Sequence, residues 1–321
     1  MHRRALLGAP LAAVPMLARA QADWPNRPIR TIVPYPPGGP NDIFARLYAQ
    51  PLAAALKGTV LVENRAGGSG VIGTDYVLKS PADGYTLGTI DGGSLVIAPH
   101  VQASMPYRVP EDVAQITPVT LVPEALVAHP GIGAKTLPEL LELARRKPGS
   151  LNIGTAGGAG ISHLTAYLFK SLTGAQVEVV LYRGAAPAIT DLVGGQIQLL
   201  FADLPPLLPH IKANAIVPLA LAARKRSPTL PDLPTTGEYG FPKLLAENWY
   251  CAVAPRGTPQ PILDRLSAAY KDASEQPALR EALQQQGAQA HWLSMPDFAR
   301  FIAEDSAVWR DVVKTSGVKF D

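Results

Sequence analysis

Two glycine-rich segments have the residue types needed to hold a small anion. The first is Pro36-Pro37-Gly38-Gly39, which follows the apolar run Ile29–Val33 and precedes the amphipathic pattern Ile43–Leu56. This order predicts a strand, a turn and a helix. The first backbone N–H groups of a helix have no partner inside it and carry partial positive charge, so they attract an anion in the turn. The glycines allow close approach to the main chain, and the prolines keep the turn stiff.

The second segment repeats this arrangement later in the chain. The predicted strand Leu151–Gly154 leads into the corner Thr155–His163, and the predicted helix Leu164–Leu172 follows. Two helix starts that face each other could hold one anionic group between them. The alternative for the first segment is a plain connection that binds nothing, with Asn41 or Asp42 only capping the helix.

The elements that must position these corners alternate along the chain. We expect strands at Thr59–Glu63 and Thr86–Asp91, with a helix at Val71–Lys79 between them. Such alternation predicts parallel strands with helices on both faces, and ligands then bind at the carboxyl ends of the strands. The extended stretch Gln115–His129 is long enough to cross from one lobe to another. About 300 residues in the mature chain favour two lobes over one.

The N-terminus has the pattern of a secretory signal. Residues 1–20 combine a basic start, an apolar stretch from Ala5 to Leu17 and the small-residue site Ala18-Arg19-Ala20. We expect cleavage after Ala20 and a periplasmic protein; a twin-arginine signal stays an alternative to an ordinary one. The 29 Lys and Arg residues exceed the 26 Asp and Glu residues only through three arginines of this segment. The mature chain is therefore balanced in charge, which argues against a nucleic-acid partner.

Two segments resemble a cofactor-binding motif and a catalytic motif. Gly68-x-Gly70-x-x-Gly73 satisfies the dinucleotide pattern, but nicotinamide cofactors are not generally supplied outside the cytoplasm, so we interpret it as a tight turn. Gly160-Ile161-Ser162-His163-Leu164 is close to a nucleophile elbow, but it lacks the closing glycine and a convincing acid and histidine downstream. We therefore expect no enzyme and no cofactor, with a secreted serine hydrolase as a remote alternative.

The five later histidines show no metal-ligand spacing, and the single Cys251 is expected to be buried among apolar neighbours.

Several ordered motifs resemble the tripartite tricarboxylate transporter substrate-binding proteins, also called Bug or TctC-like proteins. The likeness runs from about Trp24 to Phe320. The segments that carry it are Pro34-Tyr35-Pro36-Pro37-Gly38-Gly39 with Asp42, Val62-Glu63-Asn64-Arg65, Asp83-Gly84-Tyr85-Thr86-Leu87, Gly160 with Ser162-His163-Leu164, Tyr182-Arg183-Gly184, Leu192-Val193-Gly194-Gly195-Gln196 and Leu208-Pro209-His210-Ile211.

The resemblance implies a type II periplasmic binding-protein fold, with two α/β lobes, crossing hinge strands and a ligand cleft between them. By this resemblance, lobe 1 comprises residues 21–122 and 248–321, and lobe 2 comprises residues 123–247. It also implies a receptor that closes on a small carboxylate, such as a di- or tricarboxylate, an amino acid or an aromatic acid. The expected partners are that ligand and membrane transporter subunits, and we expect a monomer. A receptor that signals without transporting is the alternative.

Carried over position by position, the resemblance predicts a set of ligand-binding residues at the two corners and the strand ends beside them. They are Tyr35, Pro36, Gly38, Gly39, Pro40, Asn41, Asp42, Gly92, Gly93, Ser94, Thr155, Ala156, Gly157, Ile161, Ser162, His163, Tyr182 and Gly184.

Two positions depart from the family pattern. Asp91 enters a loop that is usually small and hydroxylic, and Phe201-Ala202-Asp203 has its acid one residue later than usual. A shift of one residue in a strand reverses the face to which the side chain points. If Asp91 and Asp203 both face the cleft, the ligand is expected to carry a cationic nitrogen as well as a carboxylate.

Overall fold

The computed structural model describes residues 24–102, 104–156 and 160–316. The expected signal segment, its cleavage after Ala20 and the predicted site residue Gly157 lie outside the described residues.

The strands follow the chain in the order β1 (Ile29–Val33), β2 (Val60–Asn64), β3 (Thr86–Asp91), β4 (Val113–Ala128), β5 (Leu151–Thr155), β6 (Val177–Leu181), β7 (Leu199–Asp203), β8 (Val217–Leu221), β9 (Glu247–Pro255) and β10 (Gln289–Ala290). The α-helices are α1 (Pro40–Leu56), α2 (Val71–Leu78), α3 (Ala98–Val101), α4 (Leu137–Arg146), α5 (Ile161–Thr173), α6 (Ala185–Val193), α7 (Leu204–Lys212), α8 (Gln260–Glu275), α9 (Pro277–Gln285) and α10 (Met295–Ser316). Short 3-10 turns occur at Gly68–Gly70 and Pro130–Ile132, and a π-helical turn at Gly93–Ile97 precedes α3.

The strands form one mixed sheet in the order β2-β1-β3-β9-β4-β7-β5-β6, with β8 and β10 also paired to β4. Parallel pairs connect β1 with β2 and β3 at one end, and β5 with β6 and β7 at the other. The long strands β4 and β9 run antiparallel to each other between these two ends. This arrangement confirms the α/β class predicted from the alternation of strands and helices. The lobe boundaries remain a prediction.

Helices cover both faces of the sheet, so neighbouring residues of one strand enter different hydrophobic clusters. Leu126 and Phe201 pack in one cluster, whereas the adjacent Val127 and Leu200 pack in the other. The strands therefore consist of nearly continuous apolar runs, as expected for a sheet that is buried on both sides. Each fully buried side chain of this size contributes roughly 1.5–3 kcal/mol by leaving water. Cys251 of β9 is buried in this core, as predicted.

The predicted strands are confirmed to within a residue or two, but two helices begin earlier than predicted. Helix α1 begins at Pro40 with Gly39 as its N-cap, because proline is well suited to the first helical position. Asn41 and Asp42 therefore lie inside the first turn, so the alternative in which one of them is the N-cap was wrong. Helix α5 likewise begins at Ile161, one turn before the predicted start.

Among the described residues, none of the helices has the length and apolar character needed to cross a bilayer.

Candidate functional site

Three helix N-termini meet at one cavity between the two ends of the sheet. The cavity is lined by Pro40 and Asn41 of α1, by Ile161 and Ser162 of α5, and by Ala185 and Ala186 of α6. About 40 Å³ of it is open to the centre of a water molecule, which is room for a few waters. Three positive helix ends directed at one space form a site for an anion.

Polar side chains in the first turn of α1 fix the first corner, which comprises residues 36–39. The Asp42 carboxylate accepts a hydrogen bond from the backbone N–H of Gly38 at 3.0 Å and pairs with Arg46 at 2.9 Å. Burial opposes ionisation of Asp42, but the hydrogen bonds from Arg46 and Gly38 outweigh it and lower its pKa. Nδ2 of Asn41 donates to the carbonyl of Thr89 at 3.1 Å, which ties the helix start to β3. Gly38 has φ +83°, a conformation that glycine adopts without strain.

The second corner is closed by a serine. Oγ of Ser162 accepts a hydrogen bond from the backbone N–H of Ala156 at 3.0 Å, and the first helical hydrogen bond of α5 runs from Leu164 N to Gly160 O. The backbone N–H groups of the residues before Leu164 therefore have no acceptor within the helix. The neighbouring His163 is buried against Tyr167, and burial lowers its pKa to about 4.

The cavity wall also contains acidic side chains. Asp91, Glu124 and Asp203 line it, and each is at most 6% exposed. Both oxygens of Asp91 accept from Ser94, the backbone N–H at 3.0 Å and the hydroxyl at 2.9 Å. Oδ2 of Asp203 accepts from the Tyr250 hydroxyl and, at 3.1 Å, from Nδ2 of Asn248.

Burial raises the pKa of all three carboxyl groups. For Asp91 desolvation outweighs the hydrogen bonds from Ser94. For Glu124 desolvation and the nearby charge of Asp203 both raise the pKa well above its ordinary value. Burial raises the pKa of Asp203 to about 7, against the hydrogen bonds of Tyr250 and Asn248. The cavity thus combines positive helix ends with carboxyl groups that ionise reluctantly.

About half of the predicted binding residues line this cavity. These are Tyr35, Pro36, Gly39, Pro40, Asn41, Asp91, Ala156, Ile161, Ser162 and Asp203. Asp91 and Asp203 therefore both face the predicted cleft. The role of these residues in binding stays a prediction.

The other predicted residues within the described parts of the chain lie beside the cavity. The backbone N–H of Gly38 donates to the Asp42 carboxylate at the first corner, and the Ser94 hydroxyl donates to the Asp91 carboxylate. Gly92 and Gly93 line a neighbouring cavity of about 260 Å³ that shares Ile161 and Asn248 with the first. The residues Thr155, His163, Tyr182 and Gly184 are not in the cavity wall.

Two of these neighbours have identifiable structural contacts. The Tyr182 hydroxyl donates to Asp191 at 2.8 Å, on the same part of the chain. Gly184 has φ +145° and packs against Pro36, so that a Cβ at this position would lie 3.3 Å from Cδ of the proline. A larger residue would therefore press the start of α6 against the first corner.

Six lining residues were not predicted: Gly160, Glu124, Ala185, Ala186, Asn248 and Tyr250. An acid inside the apolar run of β4 was a signal for Glu124, because a charge in such a strand is costly. A glycine before a helical pattern marked the start of α6. Nothing in the local sequence distinguishes Asn248 and Tyr250 from other residues of a buried strand.

Two glycines of the dinucleotide-like pattern are required by close packing. A Cβ at Gly73 would lie 2.5 Å from Arg65 O and 2.7 Å from Cα of Pro34, so close packing of α2 requires this glycine. Gly70, at φ +95°, leaves room for the hydroxyl groups of Tyr35 and Ser94. In the parts of the chain that the structure describes, no group of three or more His, Cys, Asp or Glu side chains is arranged to hold a metal ion.

Comparisons with known proteins agree with this architecture. A family model described as "Tripartite tricarboxylate transporter family receptor" matches residues 44–318. Protein BugT of Bordetella pertussis is 36% identical over 98% of this chain and 97% of its own. A solved R. palustris protein with adipate has a TM-score of 0.90 and 33% identity, covering 92% of this chain and 99% of its own. MatC from Rhodopseudomonas palustris with bound malate has a TM-score of 0.84 and 29% identity, with coverage of 90% and 100%.

The family match extends over most of the chain, and the near-complete alignment with BugT covers both ends of the sheet. The chain therefore belongs to the tripartite tricarboxylate transporter receptor family, whose members are periplasmic solute-binding receptors of the TctC and Bug type.

Proposed function

We propose that this receptor captures a small carboxylate in the cavity between the corners of α1 and α5 and delivers it to a membrane transporter of the tripartite tricarboxylate type. The ligand class comprises di- and tricarboxylates, amino acids and aromatic acids. The observation that carries the proposal is the convergence of three helix N-termini on one buried space. The adipate and malate bound to two similar proteins support the same class of ligand.

The carboxylate is held by backbone N–H groups of the helix starts, and ordered water completes its contacts. No arginine is needed, because several aligned peptide dipoles supply the positive potential. The Ser162 hydroxyl shapes this end of the cavity through its bond with Ala156. Main-chain recognition explains how one scaffold accepts different acids, since side chains at the far end set the specificity.

Binding is coupled to closure. The lobes are residues 21–122 with 248–321, and residues 123–247, and they move about the long strands β4 and β9. A ligand enters when the corners are apart, because the space between them here is small. Closure then excludes water and strengthens the polar contacts. The closed form is the one that the membrane partner recognises.

The mature protein acts in the periplasm as a monomer, after cleavage of its signal segment behind Ala20. It uses no cofactor, binds no nucleic acid and performs no catalysis. N-terminal sequencing of the exported protein tests the cleavage position, and a chain that starts at any residue other than Gln21 contradicts it.

A binding screen tests the main proposal. Thermal unfolding of residues 21–321 is followed with di- and tricarboxylates, amino acids and aromatic acids, and each ligand found is titrated by calorimetry. We expect at least one acid to raise the unfolding temperature and to bind with one-to-one stoichiometry. A screen in which no carboxylate binds would sink the proposal.

The variant Ser162→Ala localises the binding. We expect its dissociation constant to rise about fivefold, the effect of one lost hydrogen bond. Ser274→Ala is the matched control, because Ser274 is also a buried helical serine but its hydroxyl bonds to Lys271 O outside the cavity. Equal affinities of both variants would contradict the site.

Uptake of the identified ligand tests delivery. A strain without this gene should lose most of its uptake of the radiolabelled acid, and expression of the receptor should restore it. Unchanged uptake in the deletion strain, together with binding in solution, would favour the signalling receptor.

A further inference from the structure

Glu124 and Asp203 form a directly opposed pair of acids across two antiparallel strands. They are register partners of β4 and β7. The backbone groups of Glu124 bond instead with Ala222 and Ala246, so the two acids form a pair without mutual backbone hydrogen bonds. Side chains of such pairs are the closest in an antiparallel sheet. Like charges at this position are destabilising unless something is placed between them.

The pair also has two oxygens without a partner. Among the described residues, Oε2 of Glu124 and Oδ1 of Asp203 are fully buried and accept no hydrogen bond. Both residues line the cavity and are almost completely buried, at 1% and 6% exposed. Native proteins rarely leave buried acceptors unused, because the desolvation of each is then not compensated. Unused acceptors at a ligand cavity point to a donor that arrives with the ligand.

A role in helix capping does not explain Asp203. This residue is the N-cap of α7, where a carboxylate normally accepts from the second or third helical N–H. Those positions are Pro205 and Pro206, which have no N–H. Oδ2 of Asp203 is instead held by Tyr250 and Asn248, and the N–H of Trp249 fixes the Asn248 amide by donating to Oδ1 at 2.9 Å. Among the described residues, this arrangement leaves Oδ1 without a hydrogen-bond donor.

The other described residues that line the cavity carry no positive charge to neutralise these acids. The described lining residues contain three carboxyl groups, and no lysine, arginine or histidine is among them. A fully anionic ligand would add negative charge to this wall. A ligand with a cationic nitrogen supplies both the opposite charge and the missing N–H donors.

We propose that Glu124 and Asp203 form a subsite for a primary ammonium group, so that the ligand of this receptor is a small amino acid and not a plain di- or tricarboxylate. The inference rests on the proposed function, because the carboxylate of the same ligand occupies the helix starts. The ammonium donates to Oε2 of Glu124 and Oδ1 of Asp203. Asp91, at the end of β3 and in the wall of the same cavity, adds negative potential.

The competing arrangement is a second carboxylate hydrogen-bonded to protonated acids. The two models differ in the sign of their pH dependence. The ionisable groups around the pair are Asp91 on β3, Tyr250 on β9 and Tyr35 beside β1, and both tyrosines stay protonated. An ammonium ligand favours ionised carboxylates, so binding releases protons and tightens as the pH rises from 5 to 8. A dicarboxylate takes up protons and binds more weakly over that range.

Calorimetry with matched ligand pairs tests the subsite on residues 21–321. Each pair differs by the ammonium group: aspartate and succinate, alanine and propionate, 4-aminobutyrate and butyrate. Malate and adipate complete the panel. We expect at least one amino acid to bind tenfold or more tightly than its partner, with affinity that increases between pH 5 and 8.

Two isosteric variants remove the charges separately. In Glu124→Gln and in Asp203→Asn the amino acid should bind at least tenfold more weakly, while the partner acid binds equally or more tightly. Glu178→Gln is the control, because Glu178 is an exposed acid on β6. Unfolding temperatures without ligand establish that the variants fold, and relief of the like-charge pair should keep them at or above that of the unmodified protein.

The outcomes separate the two proposals. Binding of succinate, malate or adipate without tighter binding of any amino acid overturns the ammonium subsite and leaves the carboxylate receptor intact. Equal loss of amino acid and partner acid in Glu124→Gln also overturns it. If no member of the panel binds, the proposed function fails and the inference fails with it.

Discussion

Gly93 and Gly160 approach each other so closely that a Cβ on Gly93 would lie 3.2 Å from Cα of Gly160. The same atom would lie 2.9 Å from Oδ1 of Asp91, which is held in place by the backbone N–H of Ser94. One neighbour is backbone and the other is a bonded carboxylate, so neither yields easily. This contact joins the loop after β3 to the corner before α5.

The variant Gly93→Ala should therefore keep the segment after β3 apart from the corner before α5. We expect a dissociation constant at least tenfold higher for the ligand found in the screen, because the closed form becomes strained. Small-angle scattering with saturating ligand should give a larger radius of gyration than for the unmodified protein.

Gly237→Ala is the control for this experiment. Gly237 lies elsewhere in the chain, and its added Cβ would have only ordinary contacts, the nearest at 3.6 Å. If Gly93→Ala binds as tightly as this control, the contact has no part in closure.

Charge at the start of α6 should also govern binding. Ala186 is the second residue of α6 and lines the cavity. The variant Ala186→Asp places a negative charge where the ligand carboxylate is expected, so repulsion should weaken binding at least tenfold. The loss should decrease at high salt, because ions screen the repulsion.

Ala278→Asp is matched to this variant by residue type and by position. Ala278 is the second residue of α9 and is exposed. Both substitutions place an acid at a helix N-terminus, and Ala278→Asp, away from the acidic cavity, should stabilise the fold by about 0.3–1 kcal/mol. Affinity should change only in Ala186→Asp, and an equal change in both would show that the α6 start is not part of the site.

Local residue patterns were sufficient to predict the strands and both glycine-rich corners. The apolar runs Ile29–Val33 and Thr86–Asp91 identified their strands because each ends in turn residues. Of the three acids that line the cavity, Asp91, Glu124 and Asp203, only two were predicted. Asp91 and Asp203 stood out as departures from the family pattern, whereas Glu124 enters the site through its pairing with Asp203. The strands β4 and β7 are distant in sequence, and no local pattern encodes their register.

The role of Asp42 shows a second limit. The family resemblance predicts a ligand contact for Asp42, and in the structure its carboxylate bonds to Gly38 and Arg46 beside the cavity. A side chain that follows a turn can reach either the ligand or its own backbone, and the sequence is the same in both cases.

Asp42 should consequently act on stability more than on binding. The variant Asp42→Ala should lower the free energy of unfolding by about 1–2 kcal/mol, because it removes a bond at a helix start and an ion pair with the half-exposed Arg46. Asp42→Asn keeps an acceptor for Gly38 and should lose less.

The pKa of Asp42 is lowered in the folded state, so its contribution is present above the ordinary value of 3.8 and is lost as the pH falls through the folded pKa. Denaturant unfolding at pH 7 and pH 3 measures both effects. A loss in Asp42→Ala that does not decrease at pH 3 would contradict the ionised pair.

Asp203 should have the opposite effect of pH on the ligand-free protein. Burial raises its pKa from 3.8 to about 7, so the folded state binds a proton that the unfolded state releases. The free energy of unfolding should therefore fall as the pH rises from 4 to 7, by at most about 1.4 kcal/mol per pH unit for one proton. Above pH 7 this contribution should be constant.

The variant Asp203→Asn isolates the contribution of this carboxyl group to the pH dependence of the free energy of unfolding. His163 works in the other direction, because its pKa is lowered to about 4 and its effect destabilises the fold as the pH falls from 6.5 to 4. The asparagine oxygen can still accept from Tyr250 and Asn248, so the variant removes the titration and keeps the contacts. Urea unfolding of both proteins should give a stability difference that grows in favour of the variant between pH 4 and 7. A difference independent of pH would mean that Asp203 ionises like an exposed acid, which would contradict a raised pKa for this carboxyl group in the cavity wall.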